Sequence, residues 1–233
     1  MEHIVEEPLF VEFYGLPGCG KSTVSHLVAT RLRDKGYIVD EPSYIIDRNY
    51  RPFFRKLKKL YIYLSWLIFH NNTFQRVNVI VSRNGYSGVV KIEQISNVLQ
   101  KISAYRASGQ NRIVIWDQGL VQASISLSLK GEINAEENLK SLLHILESNV
   151  EIKYVMITLD EQIALERMSK RPTNDSRAEK IKDAKQKHQM MSRFQHEIDV
   201  IKKVYAGIAV DGMLVVEKQV SQISGALLSA IRN

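Results

Sequence analysis

One octapeptide narrows what this chain can become. Gly15-Leu16-Pro17-Gly18-Cys19-Gly20-Lys21-Ser22 reads GxxxxGKS, with Thr23 directly after it. Residues 9–14 before it form an apolar run with one polar break. Residues 22–35 place Val24, Leu27, Val28, Ala29 and Leu32 at helical spacing, and Gly36 stops the pattern. A strand, a glycine turn and a helix in that order make a cradle for phosphate. The glycines let backbone N–H groups converge on an anion with no Cβ in the way. The helix turns its positive end to the same anion. Lys21 can then bridge terminal phosphates, and the Ser22 hydroxyl can ligate Mg²⁺. The bland alternative is a chance glycine turn before a helix. Cys19 stands at a variable position, either as a tolerated small residue or as a thiol acidified by the helix end.

Past this loop, strand and helix signals alternate, which predicts βαβ units and a parallel sheet. Further strands are expected at 37–39, 112–116, 152–159 and 207–210. The β-branched density of RIVIW and IKYVMITL marks two of them as buried. Helices are expected at 53–69, 73–83, 92–107, 120–129, 135–148, 161–170, 179–205 and 217–231. No repeat or low-complexity linker divides the 233 residues, so 1–233 reads as one α/β domain. A single cysteine cannot close an internal disulfide, and the N-terminus lacks a signal pattern, so a cytoplasmic protein is expected. The apolar run 61–69 is too short to span a bilayer. Among the histidines, His70, His144, His188 and His196 show no zinc-ligand spacing.

Ligands of open α/β sheets bind beyond the carboxyl ends of the strands. Asp40-Glu41-Pro42 follows the second expected strand, and Asp117-Gln118-Gly119 the third. Carboxylates there can hold Mg²⁺ or take a proton from an acceptor hydroxyl. Taken singly, Asp117 also reads as a helix N-cap and Glu41 as a turn residue before proline. After the fourth strand, Arg167, Arg171 and Arg177 bracket the turn-forming Pro172, Asn174 and Asp175. Such a loop can close over a transferring phosphate, or it is a solvated basic helix end.

At this point the sequence resembles the P-loop nucleoside and nucleotide kinases, thymidylate kinase and deoxynucleoside kinases most of all. The resemblance rests on Gly15 to Ser22, the Glu41-Pro42 pair, the Asp117 motif, the Arg167/Arg171/Arg177 stretch, and Val210-Asp211-Gly212 before the last helix. It implies a three-layer P-loop NTPase fold: a five-stranded parallel sheet, helices on both faces and a lid at about 167–178. It implies ATP and Mg²⁺ on the phosphate loop, and an acceptor-side helical insert at about 44–108. Glu41 then corresponds to the acceptor-side base, Asp117 to the acid after the third strand, Arg167 and Arg171 to lid residues. Asp211 and Gly212 fall near the adenine ring. One residue departs from the pattern. Gln118 stands where the family has arginine, and a neutral amide cannot offset the charge of an acceptor phosphate.

The net charge of +7 is local. Residues 48–92 hold nine of the 32 basic residues and none of the 25 acidic ones. Residues 51–69 form a basic amphipathic stretch that turns apolar all round. It reads as a core-packed helix with a solvated face, as a pocket for an anionic acceptor, or as a peripheral contact with anionic lipid. No nucleic-acid module appears. The expected helix 179–205 is long enough for a homodimer contact, although packing on its own sheet is simpler. The expected activity is ATP-dependent transfer of phosphate to a small molecule. The alternatives are a kinase for a sugar or lipid-linked acceptor, or a non-kinase NTP-binding switch.

Overall fold

The computed structural model describes residues 7–43, 71–86, 89–109, 111–146, 150–170, 181 and 183–232. The expected helix 53–69 and the lid arginines Arg171 and Arg177 lie outside the described residues. Chain order is β1 (Leu9–Gly15), α1 (Lys21–Asp34), β2 (Val39–Asp40), α2 (Asn71–Arg83), α3 (Val89–Ala107), β3 (Ile113–Trp116), α4 (Leu120–Ser128), α5 (Ala135–Ile145), β4 (Ile152–Thr158), α6 (Glu161–Ser169), α7 (Ala184–Val204), β5 (Ile208–Asp211) and α8 (Val216–Arg232).

The five strands form one parallel sheet in the order β2-β3-β1-β4-β5. β1 lies at the centre. Phe10 pairs with Val114 on one side and with Ile152 on the other. Parallel strands joined by right-handed crossovers put their helices on opposite faces when the crossovers run in opposite directions. The chain moves from β1 outward to β2 through α1, and from β3 across β1 to β4 through α4 and α5. α1 therefore sits on one face, where it packs against α8. α4, α5 and α7 pack together on the other. Both faces of β1 are covered, and Phe10, Val11, Phe13 and Tyr14 are at most 2% exposed.

The elements run close to their expected bounds, with one instructive shift. The second strand starts at Val39, although hydropathy placed it at 37–39. Gly36 has φ +88°, and the amides of Gly36 and Tyr37 return to Arg33 O and Leu32 O at 2.8 and 3.1 Å. Those bonds close α1 with a left-handed glycine. Tyr37 is thus spent on ending the helix. Asp40 stays in the strand, paired with Val114, because Arg112 holds its carboxylate at 2.6 Å. Among the described residues no helix is long and apolar enough to cross a membrane.

Candidate active site

The direction of the crossovers reverses between β1 and β3. In a doubly wound sheet that reversal opens a crevice at the carboxyl ends of those two strands. Gly15-Leu16-Pro17-Gly18-Cys19-Gly20 leaves β1 there and enters α1. Gly20 is the N-cap residue at φ +97°, no side chain caps the helix, and no acidic residue occupies its first turn. A Cβ built on Gly20 would meet nothing within 4 Å. The positive end of α1 therefore carries no cap and no acid of its own, as an anion cradle requires. Gly18 is fixed by its surroundings instead. At φ +90°, its Cβ would meet Ala164 O at 2.5 Å and Met168 Cγ at 2.8 Å, so the loop lies directly on α6.

Lys21 is buried. Its ammonium donates to Gly15 O and Leu16 O, both at 2.9 Å, and stands 3.7 Å from Cys19 Sγ. The cation is held inside the loop by the loop's own carbonyls. Cys19 is 1% exposed, and its sulfur packs where a Cβ on Gly15 would lie 3.0 Å away. That packing fits the small-residue reading of Cys19. Ser22 and Thr23 are exposed at the start of α1.

Asp117 follows β3 directly. The Ser22 hydroxyl donates to Asp117 Oδ2 at 2.6 Å, across the crevice from α1 to the end of β3. Two hard oxygen donors converge there beside a phosphate cradle, which is the donor set Mg²⁺ prefers. ATP–Mg²⁺ fits the residues present: the open helix end and loop amides for phosphate oxygens, Lys21 for their charge, Ser22 and Asp117 for the ion.

Glu41 is buried and engaged. Its Oε1 lies 3.0 Å from His26 Nδ1, and its Oε2 lies 2.7 Å from Arg33 Nη1. Both partners stand on α1. His26 is four residues beyond Ser22, so it lies one turn, about 5.4 Å, along the same helix face. Asp117 and Glu41, named separately from the sequence, thus meet neighbouring turns of one helix.

Of the lid arginines, Arg167 is described. It donates from Nη2 to Gly212 O at 3.2 Å. That bond ties α6 to the segment after β5, where Asp211 Oδ1 accepts the Met213 amide at 2.8 Å. Asp211 is the last residue of β5 rather than the first of a loop, since it pairs with Thr158. The structure brings Arg167 together with Gly212, and Ser22 with Asp117. Gln118 is exposed at the crevice.

Sequence reasoning passed over Glu12. It is 2% exposed in the central strand, and its Oε1 accepts the amides of Gly119 and Gln122, both at 3.1 Å. Burial pushes its carboxyl up to about 7, against a pull downward from the amides of Gln122, Val121, Gly119 and Leu120. The signal was the polar break in the apolar run of residues 9–14. Buried carboxylates are rare unless they are paired, as this one is with two amides.

A pH effect follows. The folded carboxyl binds its proton more tightly than the unfolded one, whose ordinary value is near 4.5. Its contribution to stability is full below about 4.5 and is lost as pH rises through about 7. Glu12→Gln removes that loss. The variant should gain on wild type between pH 4.5 and 7.5 by as much as about 3 kcal/mol. Denaturant titrations of both proteins across that range check it. A stability difference that is flat with pH would contradict it.

Set beside known proteins, the chain matches the AAA domain over residues 10–196. No curated protein sequence matches it significantly. Its fold is similar to a deoxyadenosine kinase from M. mycoides solved with bound dATP. The identity is 16%, the TM-score is 0.54, and the match covers 94% of this chain and 100% of that one. The same kinase, solved with the products dCMP and a flexible dCDP, matches at 17% identity and TM-score 0.50, over 95% of this chain and 100% of that one. At such identities the likeness is one of fold. With the family match spanning most of the sequence, the chain belongs to the AAA-domain family.

Proposed function

We propose that this protein transfers the γ-phosphoryl group of ATP to a hydroxyl of a small acceptor, with nucleosides the first class to try. One observation supports this most: the 2.6 Å bond from Ser22 to Asp117 joins the phosphate loop to the carboxylate after β3, at the switch point of the sheet. Lys21 holds the β- and γ-phosphates by charge, next to the amides of the loop. Ser22 and Asp117 hold the ion. When bound, Mg²⁺ neutralises charge that develops between the β- and γ-phosphates. Asp117 or Glu41 accepts the proton of the acceptor hydroxyl. Arg167, with Arg171 four residues further along the sequence, supplies positive charge from the lid side. The adenine end lies toward Asp211 and Gly212. The neutral, exposed Gln118 suits an uncharged acceptor more than a monophosphate.

The test measures ATP consumption against a panel of nucleosides, nucleoside monophosphates and anionic sugars. ATP should disappear only when an acceptor is present, and monophosphates should be poor acceptors. Slow hydrolysis that ignores every acceptor would refute the kinase and favour a nucleotide-controlled switch.

A further inference from the structure

Three facts converge on the strand before the phosphate loop. Glu12 is a buried carboxylate with its Oε1 on two amides of the first turn of α4, Gly119 and Gln122. Gly119 has no room for a side chain, because a Cβ there would sit 2.6 Å from Glu12 Cδ and Oε2. Asp117 lies two residues before Gly119, and its Oδ2 receives the Ser22 hydroxyl. The carboxylate of β1 thus anchors the very turn that carries the carboxylate of the crevice. The Glu12 carboxylate in turn acts on Tyr14 of β1 and Tyr154 of β4: burial first, and its charge second, push both phenols up, Tyr14 to about 12. The groups that favour its ionised form are the backbone amides at the start of α4, so the charge Glu12 carries when ionised faces the positive end of that helix.

We propose that Glu12 is a positioning residue for the metal side of the site: by fixing the N-terminus of α4 it holds Asp117 where it and Ser22 together can bind the divalent ion. The inference rests on the reading of Ser22 and Asp117 as the ion's ligands. In this reading Glu12 acts through the amides of Gly119 and Gln122 rather than on the ligand itself. A partner hydrogen-bonded directly to an ion's ligand is worth about 10- to 100-fold in metal affinity; Glu12 acts one step further out, through those amides, so the lower end of that range applies.

The test is calorimetric binding of a non-hydrolysable ATP analogue, with and without MgCl₂, to wild type, Glu12→Gln, Gly119→Ala and Ser22→Ala. Glu12→Gln keeps a carbonyl oxygen for the two amides and removes the charge. Its metal-free affinity should stay within about twofold of wild type, while the gain from Mg²⁺ falls about tenfold. Gly119→Ala crowds the same carboxylate from the other side and should lose the same gain with Glu12 still in place. In a purely structural role Glu12→Gln would change both affinities alike, or neither. A folded Glu12→Gln or Gly119→Ala protein with the full Mg²⁺ gain overturns the inference, provided Ser22→Ala loses it. If Ser22→Ala also keeps the gain, the assignment of the ion to Ser22 and Asp117 fails, and this inference falls with it.

Discussion

Replacing Lys21 by alanine should cut phosphoryl transfer by about a thousandfold or more while the protein stays folded. Its ammonium is the buried cation of the phosphate loop, held by Gly15 O and Leu16 O at 2.9 Å each. A charge placed in advance where negative charge builds up is worth about 10²- to 10³-fold in rate when one donor is removed, and a full cation is the stronger case. The two carbonyl bonds are the structural cost of the change, about 1 kcal/mol each. The melting temperature should drop by several degrees, and the far-ultraviolet circular dichroism should be unchanged. Steady-state turnover with the best acceptor, measured beside those spectra, checks both halves. A folded Lys21→Ala protein with wild-type turnover would sink the phosphotransfer assignment.

Asp117→Asn should be the second most damaging change. Asparagine retains the shape and an oxygen to accept from Ser22, so the 2.6 Å contact can survive. It loses the negative charge, and with it most of the attraction for a divalent ion. We expect kcat to fall about a hundredfold and the Mg²⁺ concentration for half-maximal rate to rise, with stability nearly unchanged because Asp117 is part-exposed at the crevice. Rate against Mg²⁺ concentration shows this directly. The companion variant Glu41→Gln separates the two carboxylates. It breaks a pairing with Arg33 and His26 and has no contact with Ser22, so it should leave the Mg²⁺ requirement at the wild-type level. An Asp117→Asn protein with wild-type kcat and Mg²⁺ dependence would remove Asp117 from the site.

What the sequence disclosed follows from the range of the interactions involved. The phosphate loop is local chemistry. Eight successive residues and their flanks carry the whole signal, so Gly15 to Ser22 could be placed at once. Asp117 needed only a buried strand before it and the rule about strand ends. Glu41 was found the same way, but its partners were not. Arg33 and His26 reach it from α1 through a fold that pattern cannot supply. β2 was misplaced by two residues because hydrophobicity says nothing of a helix cap. Glu12 escaped for the opposite reason. It obeys no motif, and its purpose appears only when α4, more than a hundred residues away in sequence, docks on β1. Arg171 and Arg177 remain readings of the sequence, since they lie outside the described residues.

The order of the sheet has one more consequence. Among the described residues its outer strands are brief, β2 with two residues and β5 with four, while the longest strands, β1 and β4 with seven each, are enclosed on both sides. An open sheet invites a stray chain to hydrogen-bond to its rim, and brief edges give such a guest little to grip. The two longest buried strands are thereby kept out of reach of self-association. Its tendency to aggregate should be governed by how readily the rim strands peel away rather than by the composition of its core.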